Sequence, residues 1–345
     1  MALNRFSDLP PSTPHPVAAD TITIAVTVFN RREFILQAIA SALRQTLPVR
    51  VLVVEDCSPD ADLETMVRRE FGDRIQYHRN TERRGLFGNW NACLELCTTP
   101  WLSILHDDDY LAPDFIEAMQ ELAHPLPNLG IYFSSVVEVS EAGEPVLPAS
   151  PAIHERFRRI DPRSLAFKND VLFPGQLLRV KYARSVGGFR QNSQFCGDWE
   201  MWFKLAYHYG AAQTSRQLAF SRSHRGLERG TNKVVVRGRK HALDFVQVKR
   251  NLAQLRQTES GARFDRRQLL KNSPLPAGLL IRNAQYMSSR LLDYNRKLLL
   301  LSTAPHWRYR IFQAFARLCG PHFMRVVSKL LTTPTKQTHI EQDYA

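Results

Sequence analysis

Short apolar runs alternate with stretches of helical periodicity through the first third of the chain. Thr21 to Val28 is β-branched and almost wholly apolar, the composition of a strand buried on both faces of a parallel sheet. Asn30 and Glu33 stand at capping-box spacing. Phe34, Ile35, Ala38, Ile39, Ala42 and Leu43 then fall on one side of a helix predicted to run to about Gln45. A second buried strand is expected over 49–54, a short helix over 63–71, a third strand over 75–78, a helix over 88–96 and a fourth strand from Trp101. This alternation predicts an α/β domain on a mostly parallel, Rossmann-like sheet with flanking helices. In such a sheet the ligand lies beyond the carboxyl ends of the strands, where the strand order reverses. That rim carries Asn30, Asp56 and Asp107 to Asp109.

The middle of the chain is less regular. Residues 131–139 read as a strand, 141–163 as a proline-containing loop, and 177–180 as a short strand after the turn Phe173-Pro174-Gly175-Gln176. Gly187-Gly188-Phe189 breaks the pattern. Trp199, Trp202, Phe203 and Ala206 then recur at helical spacing. Asp198 opens that helix, where capping and the helix dipole favour a carboxylate. Residues 218–225 read as a strand carrying His224 near its end.

The fourth strand, Trp101-Leu-Ser-Ile-Leu105, ends in His106 and then in Asp107, Asp108 and Asp109. Adjacent anions repel, and a hard divalent cation, Mg2+ or Mn2+, is the simplest reason to hold them together. The alternative is a solvated acidic turn. A dinucleotide fold would place GxGxxG after the first strand, but that loop reads Val28-Phe-Asn-Arg-Arg-Glu33, without glycine. There is no Walker A sequence either. Charge neutralisation by a metal is then the remaining way to hold a diphosphate.

Composition adds two constraints. The cysteines, Cys57, Cys93, Cys97, Cys196 and Cys319, include no CxxC pair and read as reduced residues of a cytosolic protein. The net charge of +13 is unevenly spread: residues 231–345 hold 21 Lys and Arg against 6 Asp and Glu, a net +15, whereas residues 1–230 hold 25 against 27, a net −2. A near-neutral body with a strongly basic C-terminal part could meet nucleic acid, an anionic membrane or acidic ligands. No apolar run has the length of a membrane span. Residues 1–20, with Pro10, Pro11, Pro14 and Pro16 and no apolar h-region, are expected to be a disordered arm.

Over about residues 21–230 the sequence resembles the family 2 glycosyltransferases of GT-A fold. Thr23 to Asn30 is similar to the family's opening strand, and Val53-Val-Glu-Asp-Cys-Ser-Pro-Asp60 to its Val-Asp-Asp-Gly-Ser-x-Asp. Leu105-His-Asp-Asp-Asp-Tyr-Leu-Ala-Pro-Asp114 looks like its DXD segment. Pro174-Gly175-Gln176, Gly187-Gly188-Phe189, Gly197-Asp198-Trp199-Glu200 and Arg222-Ser-His224 look like its acceptor-side landmarks. The departures are Glu55 and Cys57 for Asp and Gly, implying a looser turn, His106 for the first Asp of the DXD, and Gly197 for an acidic residue.

The resemblance implies inverting transfer from a nucleotide diphosphate sugar to a saccharide or lipid-linked acceptor. It divides the chain into a GT-A domain over 21–232, with nucleotide-sugar binding in 21–125 and the acceptor side in 126–232, and a basic helical region over 233–345. It implies Asp198 as catalytic base. Val28, Asn30, Asp56, Arg84 and Asp107 are implied as donor-binding, with Asp56 on the nucleobase and Asp107 on the ribose. Asp108, Asp109 and His224 are implied on the metal, and Gly175, Trp199 and Glu200 on the acceptor side.

The C-terminal part reads as helices. Leu280, Ala284, Met287, Leu291, Tyr294, Leu298 and Leu301 form a heptad seam that packs on the catalytic domain, on another helix of the same chain or, alternatively, on a second copy as a homodimer. Trp307, Ile311, Phe315 and Leu318 share a face opposite Arg310 and Arg317, a pattern that fits either core packing or the inner face of the plasma membrane. Two other functions compete. A nucleotidyltransferase would want an early glycine-rich basic loop, which is missing. A nucleic-acid-binding protein would want a recognisable module in the basic part, and none is present.

Overall fold

The computed structural model describes residues 21–59, 62–146, 157–165, 169, 171–192, 196–224, 248 and 251. The N-terminal arm, the heptad seam and the Trp307 to Leu318 face lie outside the described residues.

The first half runs β1 (Ile22–Val28), α1 (Ile35–Leu43), β2 (Arg50–Glu55), α2 (Leu63–Phe71), β3 (Gln76–Arg79), α3 (Gly85–Leu96) and β4 (Trp101–His106). It continues through β5 (Tyr110–Leu111), α4 (Phe115–Ala123), β6 (Ile131–Val139), β7 (Phe157–Ile160), α5 (Pro162–Leu165), β8 (Gln176–Arg179), α6 (Val180–Ser185), α7 (Gly197–Tyr209) and β9 (Ala211–Arg222). The strands form one sheet in the order β3-β2-β1-β4-β8-β6-β9-β5, with β7 also on β9.

Strand alternation sorts the core onto two faces. Ile22, Ile24, Val26 and Val28 of β1 pack with Ile35 and Ile39 of α1, Val67 of α2 and Phe115 and Met119 of α4. Ala25, Leu52, Leu102 and Ile104 point the other way, onto Trp90 of α3, Ala183 of α6 and Trp202 of α7. A sheet covered on both faces explains why β1 shows no polar alternation: all seven of its residues are buried.

The expected fold class holds, with corrections. The ladders β3-β2-β1-β4 are parallel, but β8 runs antiparallel to both β4 and β6, so the second half of the sheet is mixed. β7 lies inside the stretch read as loop, and β9 begins at Ala211, well before residue 218. The capping box does not form. α1 starts at Ile35 with Phe34 at its N-cap, while Asn30 adopts a left-handed φ of 51° and its amide donates to Ser58 Oγ at 2.9 Å.

Two residues beyond β9 are fixed against this body. Val248 is fully buried in the cluster around Trp202, and Asn251 is fully buried beside Glu200 and Asn192. The chain beyond β9 therefore touches the sheet and its helices at these two positions.

Candidate active site

The register of the parallel ladders aligns three strand ends. Val28 pairs with Glu55, and Thr27 with His106, so the loops leaving β1, β2 and β4 share one rim. The order reverses at β1, since β2 and β3 lie to one side and β4 to the other. That reversal opens the crevice in which α/β sheets take ligands.

On the β2 side, Asp56 is buried. Its carboxylate accepts the amides of Arg84 at 2.7 Å and Gly85 at 2.9 Å, where α3 begins, and the side-chain amide of Asn80 at 3.2 Å. A carboxylate at a helix start satisfies amides that have no partner within the helix. The Asp56 amide donates to the Val28 carbonyl at 2.9 Å. The Val28 side chain lies in the core, so its tie to this rim is its backbone. Glu55, also fully buried, accepts from Tyr77 at 2.7 Å, Arg79 at 2.6 Å and the Ser58 amide at 3.1 Å.

The looser turn expected from Cys57 does not occur. Cys57 holds a left-handed φ of 52°, the conformation for which glycine is the usual residue. Arg84 is turned elsewhere than expected: its guanidinium is bidentate on Glu95 at 2.8 and 2.9 Å, and only its backbone amide meets Asp56. Arg83 lies over the Phe29 ring, 4.1 Å from its centroid.

The acidic cluster is enclosed by cations. Asp107 and Asp109 are buried, and Asp108 is nearly so. Arg31 Nη1 lies 3.1 Å from Asp107 Oδ1 and is also paired with Asp108 Oδ2. His224 Nε2 lies 2.9 Å from the same Asp108 oxygen, and its Nδ1 lies 3.1 Å from Glu141. An imidazole bonded to a carboxylate at both nitrogens donates from both, which makes it a cation.

Arg222 ties the loop to the rest of the rim. Its amide donates to Asp109 at 2.9 Å, its Nε to the Asp108 carbonyl at 3.0 Å and its Nη2 to Gln37 at 2.7 Å, while its guanidinium covers the Phe34 ring at 4.1 Å.

The electrostatics follow the burial. Burial pushes Asp107 up to about 7, and it also raises Asp109. Burial works against Asp108 too, but the His224 hydrogen bond and the Arg31 charge outweigh it and hold that carboxyl at about 2. Burial disfavours a charged His106, yet contact with Asp109, 3.3 Å away, raises it on balance.

Ligand atoms of His106, Asp108 and Asp109 lie within 4.8 Å of one another, and His106 Nε2 is buried without a partner among the described residues. A ring nitrogen and two carboxylates are a donor set that Mn2+ or Mg2+ accepts, so these residues fit a divalent cation. His106, rather than His224, stands in this group, while His224 meets Asp108 Oδ2.

Asp198 sits in the first turn of α7, partly buried, with the Asn169 amide 3.5 Å from Oδ2. Burial pushes its carboxyl up to about 6, and the nearby His106 pulls the other way. Ring contacts join α7 to the end of β4: His106 stacks on Phe173 at 4.2 Å, and Phe173 lies tilted against Trp202 at 5.8 Å.

The residues expected on the acceptor side are interior. Trp199 is buried and donates to the Leu165 carbonyl. Glu200 is fully buried, with Arg190 at 3.1 Å, Lys204 at 4.0 Å and the Asn251 amide at 2.6 Å. Those neighbours make Glu200 an internal counter-ion. Gly175 is buried where a Cβ would come within 2.5 Å of Ser134 Oγ, so close packing requires its glycine.

Residues 23–183 match the model of Glycosyl transferase family 2. The chain carries a family 2 glycosyltransferase domain. The matched stretch contains β1 to β4, the acidic cluster and Gly175, while Asp198 and His224 lie beyond it. The domain is 34% identical over 113 residues to the succinoglycan biosynthesis protein ExoO of Rhizobium meliloti, covering 32% of each chain. It is 26% identical over 187 residues to an uncharacterized glycosyltransferase of Rickettsia conorii, covering 53% of this chain but 31% of that protein. Among solved structures, S. aureus TarS 1–349 in complex with UDP-GlcNAc superposes with a TM-score of 0.59 at 14% identity, covering 90% of both chains. The Pyrobaculum calidifontis mannosyltransferase PcManGT, in complex with GDP-Man and Mn2+, superposes with a TM-score of 0.50 at 18% identity, covering 92% of this chain and 91% of that one. At such identities the likeness is one of fold, and it confirms the GT-A architecture.

Sequence reasoning missed Arg31 and Arg222 as partners of the glycosyltransferase cluster. The signal for Arg31 was its place next to Asn30 on the same rim. Arg222 had only its place in the Arg222-Ser-His224 segment.

Proposed function

We propose that this glycosyltransferase moves a sugar from a nucleoside diphosphate sugar to an acceptor hydroxyl, with inversion and with Mg2+ or Mn2+ at the acidic cluster. The observation that carries the proposal is the meeting of His106, Asp108 and Asp109 at the end of β4, at the strand-order reversal of a family 2 domain. Bound there, the cation would neutralise the diphosphate and the charge that grows on it as the sugar leaves.

The chain's own residues supply the rest. Asp198, raised to about 6, is deprotonated at neutral pH and basic enough to take a proton. It accepts the acceptor's O–H proton as that oxygen attacks C1. The C1–O bond to the diphosphate breaks on the opposite face, and the nucleoside diphosphate departs with the bonding pair. Asn169 holds one Asp198 oxygen, which orients the other. Asp56 and Asn30 line the nucleoside end through the β1 and β2 loops, and Asp107 faces the ribose.

ExoO is named for succinoglycan biosynthesis, which favours a surface polysaccharide or glycolipid as product here. Among the described residues no helix is long and apolar enough to cross a membrane. Peripheral attachment at the inner membrane face, through the basic residues 231–345, would bring the domain to a lipid-linked acceptor.

Calorimetry with UDP and GDP, each with and without Mn2+, tests the reading. Wild-type protein is expected to bind one of them in a Mn2+-dependent way, and Asp108→Asn to lose that dependence while keeping its circular dichroism spectrum. Equal affinity with and without Mn2+, unchanged in Asp108→Asn, would remove the metal from the proposal.

A further inference from the structure

We infer that Arg31 is a tethered cation that competes with the divalent ion for Asp108 and passes to the donor diphosphate once that ion binds. The inference rests on the nucleotide-sugar reading above and assigns a role to a residue which that reading leaves unused.

Asp108 belongs to two sets at once. One is the His106, Asp108 and Asp109 group that converges as a cation site. The other is the ion pair with Arg31, whose Nη1 also reaches Asp107 at 3.1 Å. The Asp108 oxygen that Arg31 occupies is already shared with His224 at 2.9 Å. A divalent ion that shares this carboxylate brings a third positive charge against it, and one that takes Oδ2 itself must displace a charged neighbour. His224 is the poorer candidate to leave, because Glu141 holds its other nitrogen at 3.1 Å and its side chain is 9% exposed. The partners of Arg31, Asp107 and Asp108, both belong to the acidic cluster itself, and its side chain is 29% exposed.

The backbone beneath Arg31 is fixed while its arm is not. Asn30 is locked in its left-handed conformation with its amide on Ser58, which sets the direction in which the Arg31 side chain leaves the rim of β1. That rim is where the crevice opens. A guanidinium forced off these two carboxylates finds anionic oxygens again in a diphosphate, which its fork of donors can bind. The exchange also keeps charge balanced. With the site empty of metal, Arg31 offsets Asp107 and Asp108. With metal and donor present, the metal takes Asp108 and Arg31 offsets the phosphates. Metal and diphosphate should therefore bind with strong positive coupling through this one side chain.

The test is calorimetry on Arg31→Met and Arg31→Lys in the full chain, titrating Mn2+ alone and then the better binder of UDP and GDP onto Mn2+-saturated protein. Arg31→Met is expected to bind Mn2+ alone about tenfold or more tighter than wild type, and the diphosphate about tenfold or more weaker. The corresponding nucleoside monophosphate should be affected much less. Arg31→Lys, which keeps the charge without the fork, should bind Mn2+ near the wild-type level and guards against misfolding of the Met variant. Unchanged or weaker Mn2+ binding in Arg31→Met overturns the inference, as does unchanged diphosphate binding, and either result leaves the metal site itself standing. If wild-type protein binds no Mn2+ even with diphosphate present, the metal reading and this inference fall together.

Discussion

Asn251 donates a 2.6 Å hydrogen bond from its side-chain amide to Oε2 of Glu200, a carboxylate with no exposure to solvent. The same amide nitrogen donates to Asn192 Oδ1 at 2.9 Å. Glu200 lies on α7 two residues after Asp198, so a contact from beyond β9 reaches the helix that carries the proposed base. Asn251→Ala strips a donor from a buried charge, which costs about 1–3 kcal/mol. Urea denaturation should show a lower midpoint. Asn251→Asp should be worse, because it sets a second anion against Glu200. A midpoint unchanged in both variants would mean that the contact is incidental.

Asp198→Asn keeps the volume and removes the proton acceptor. Turnover should fall by about two to four orders of magnitude, with donor KM within a few-fold of wild type. The pH profile gives a second readout. Wild-type kcat should rise with pH through about 6, where Asp198 loses its proton, and level off above it.

The stability sign is opposite. The folded pKa lies above the unfolded value of 3.8, so the native state binds the extra proton between the two. Stability attributable to this group is therefore highest below 3.8 and declines as pH rises to about 6. At neutral pH the Asn variant should melt higher than wild type, a common trade of stability for activity. Full activity in Asp198→Asn would assign the base elsewhere.

Cys57 occupies a backbone conformation that costs an L-residue roughly 1–2 kcal/mol. Cys57→Gly relieves that strain and gives back about 0.5–1 kcal/mol in unfolded-state entropy, so its net effect should be small and on the stabilising side. Cys57→Val, β-branched at a positive φ, should lose about 1–3 kcal/mol. Thermal melts of the two variants should move in opposite directions. A lower melting temperature for the Gly variant would show that the thiol contributes more than its backbone costs.

The net +15 of residues 231–345 predicts co-sedimentation with anionic but not neutral vesicles, weakened by salt. Trp307→Ala combined with Phe315→Ala should weaken it further by removing apolar anchors. Protein that stays in the supernatant with anionic vesicles at low salt would confine these residues to packing.

The first half was legible because its leading strands are buried on both faces. A run such as Ile22 to Val28 has one physical explanation, and α2 fell where the spacing put it. The second half was harder. β7 begins Phe157-Arg158-Arg159, exposed in all three residues, and an edge strand of that kind carries no apolar signature. The capping box failed because the Asn30 backbone was needed for the rim turn, a tertiary demand that spacing does not show. Asp108 and Asp198 could be singled out from motif and position. Their surroundings could not, because Arg31 and His224 reach Asp108 across about 77 and 116 positions of chain. The neighbours of Glu200 were hidden in the same way, since Asn251 reaches it from 51 positions along the chain.

The sheet that passes without a break through both halves limits how the molecule can move. β4 is bonded to β1 along one edge and to β8 along the other, and β8 continues into β6. A jaw-like closing of one half of the sheet on the other would have to shear those ladders, so the sheet is expected to act as a rigid anvil rather than a clamp. Whatever rearrangement accompanies a catalytic cycle must be borne by side chains and by segments standing on the rim. Small-angle scattering should accordingly give the same radius of gyration for this scaffold whether or not a nucleotide is bound.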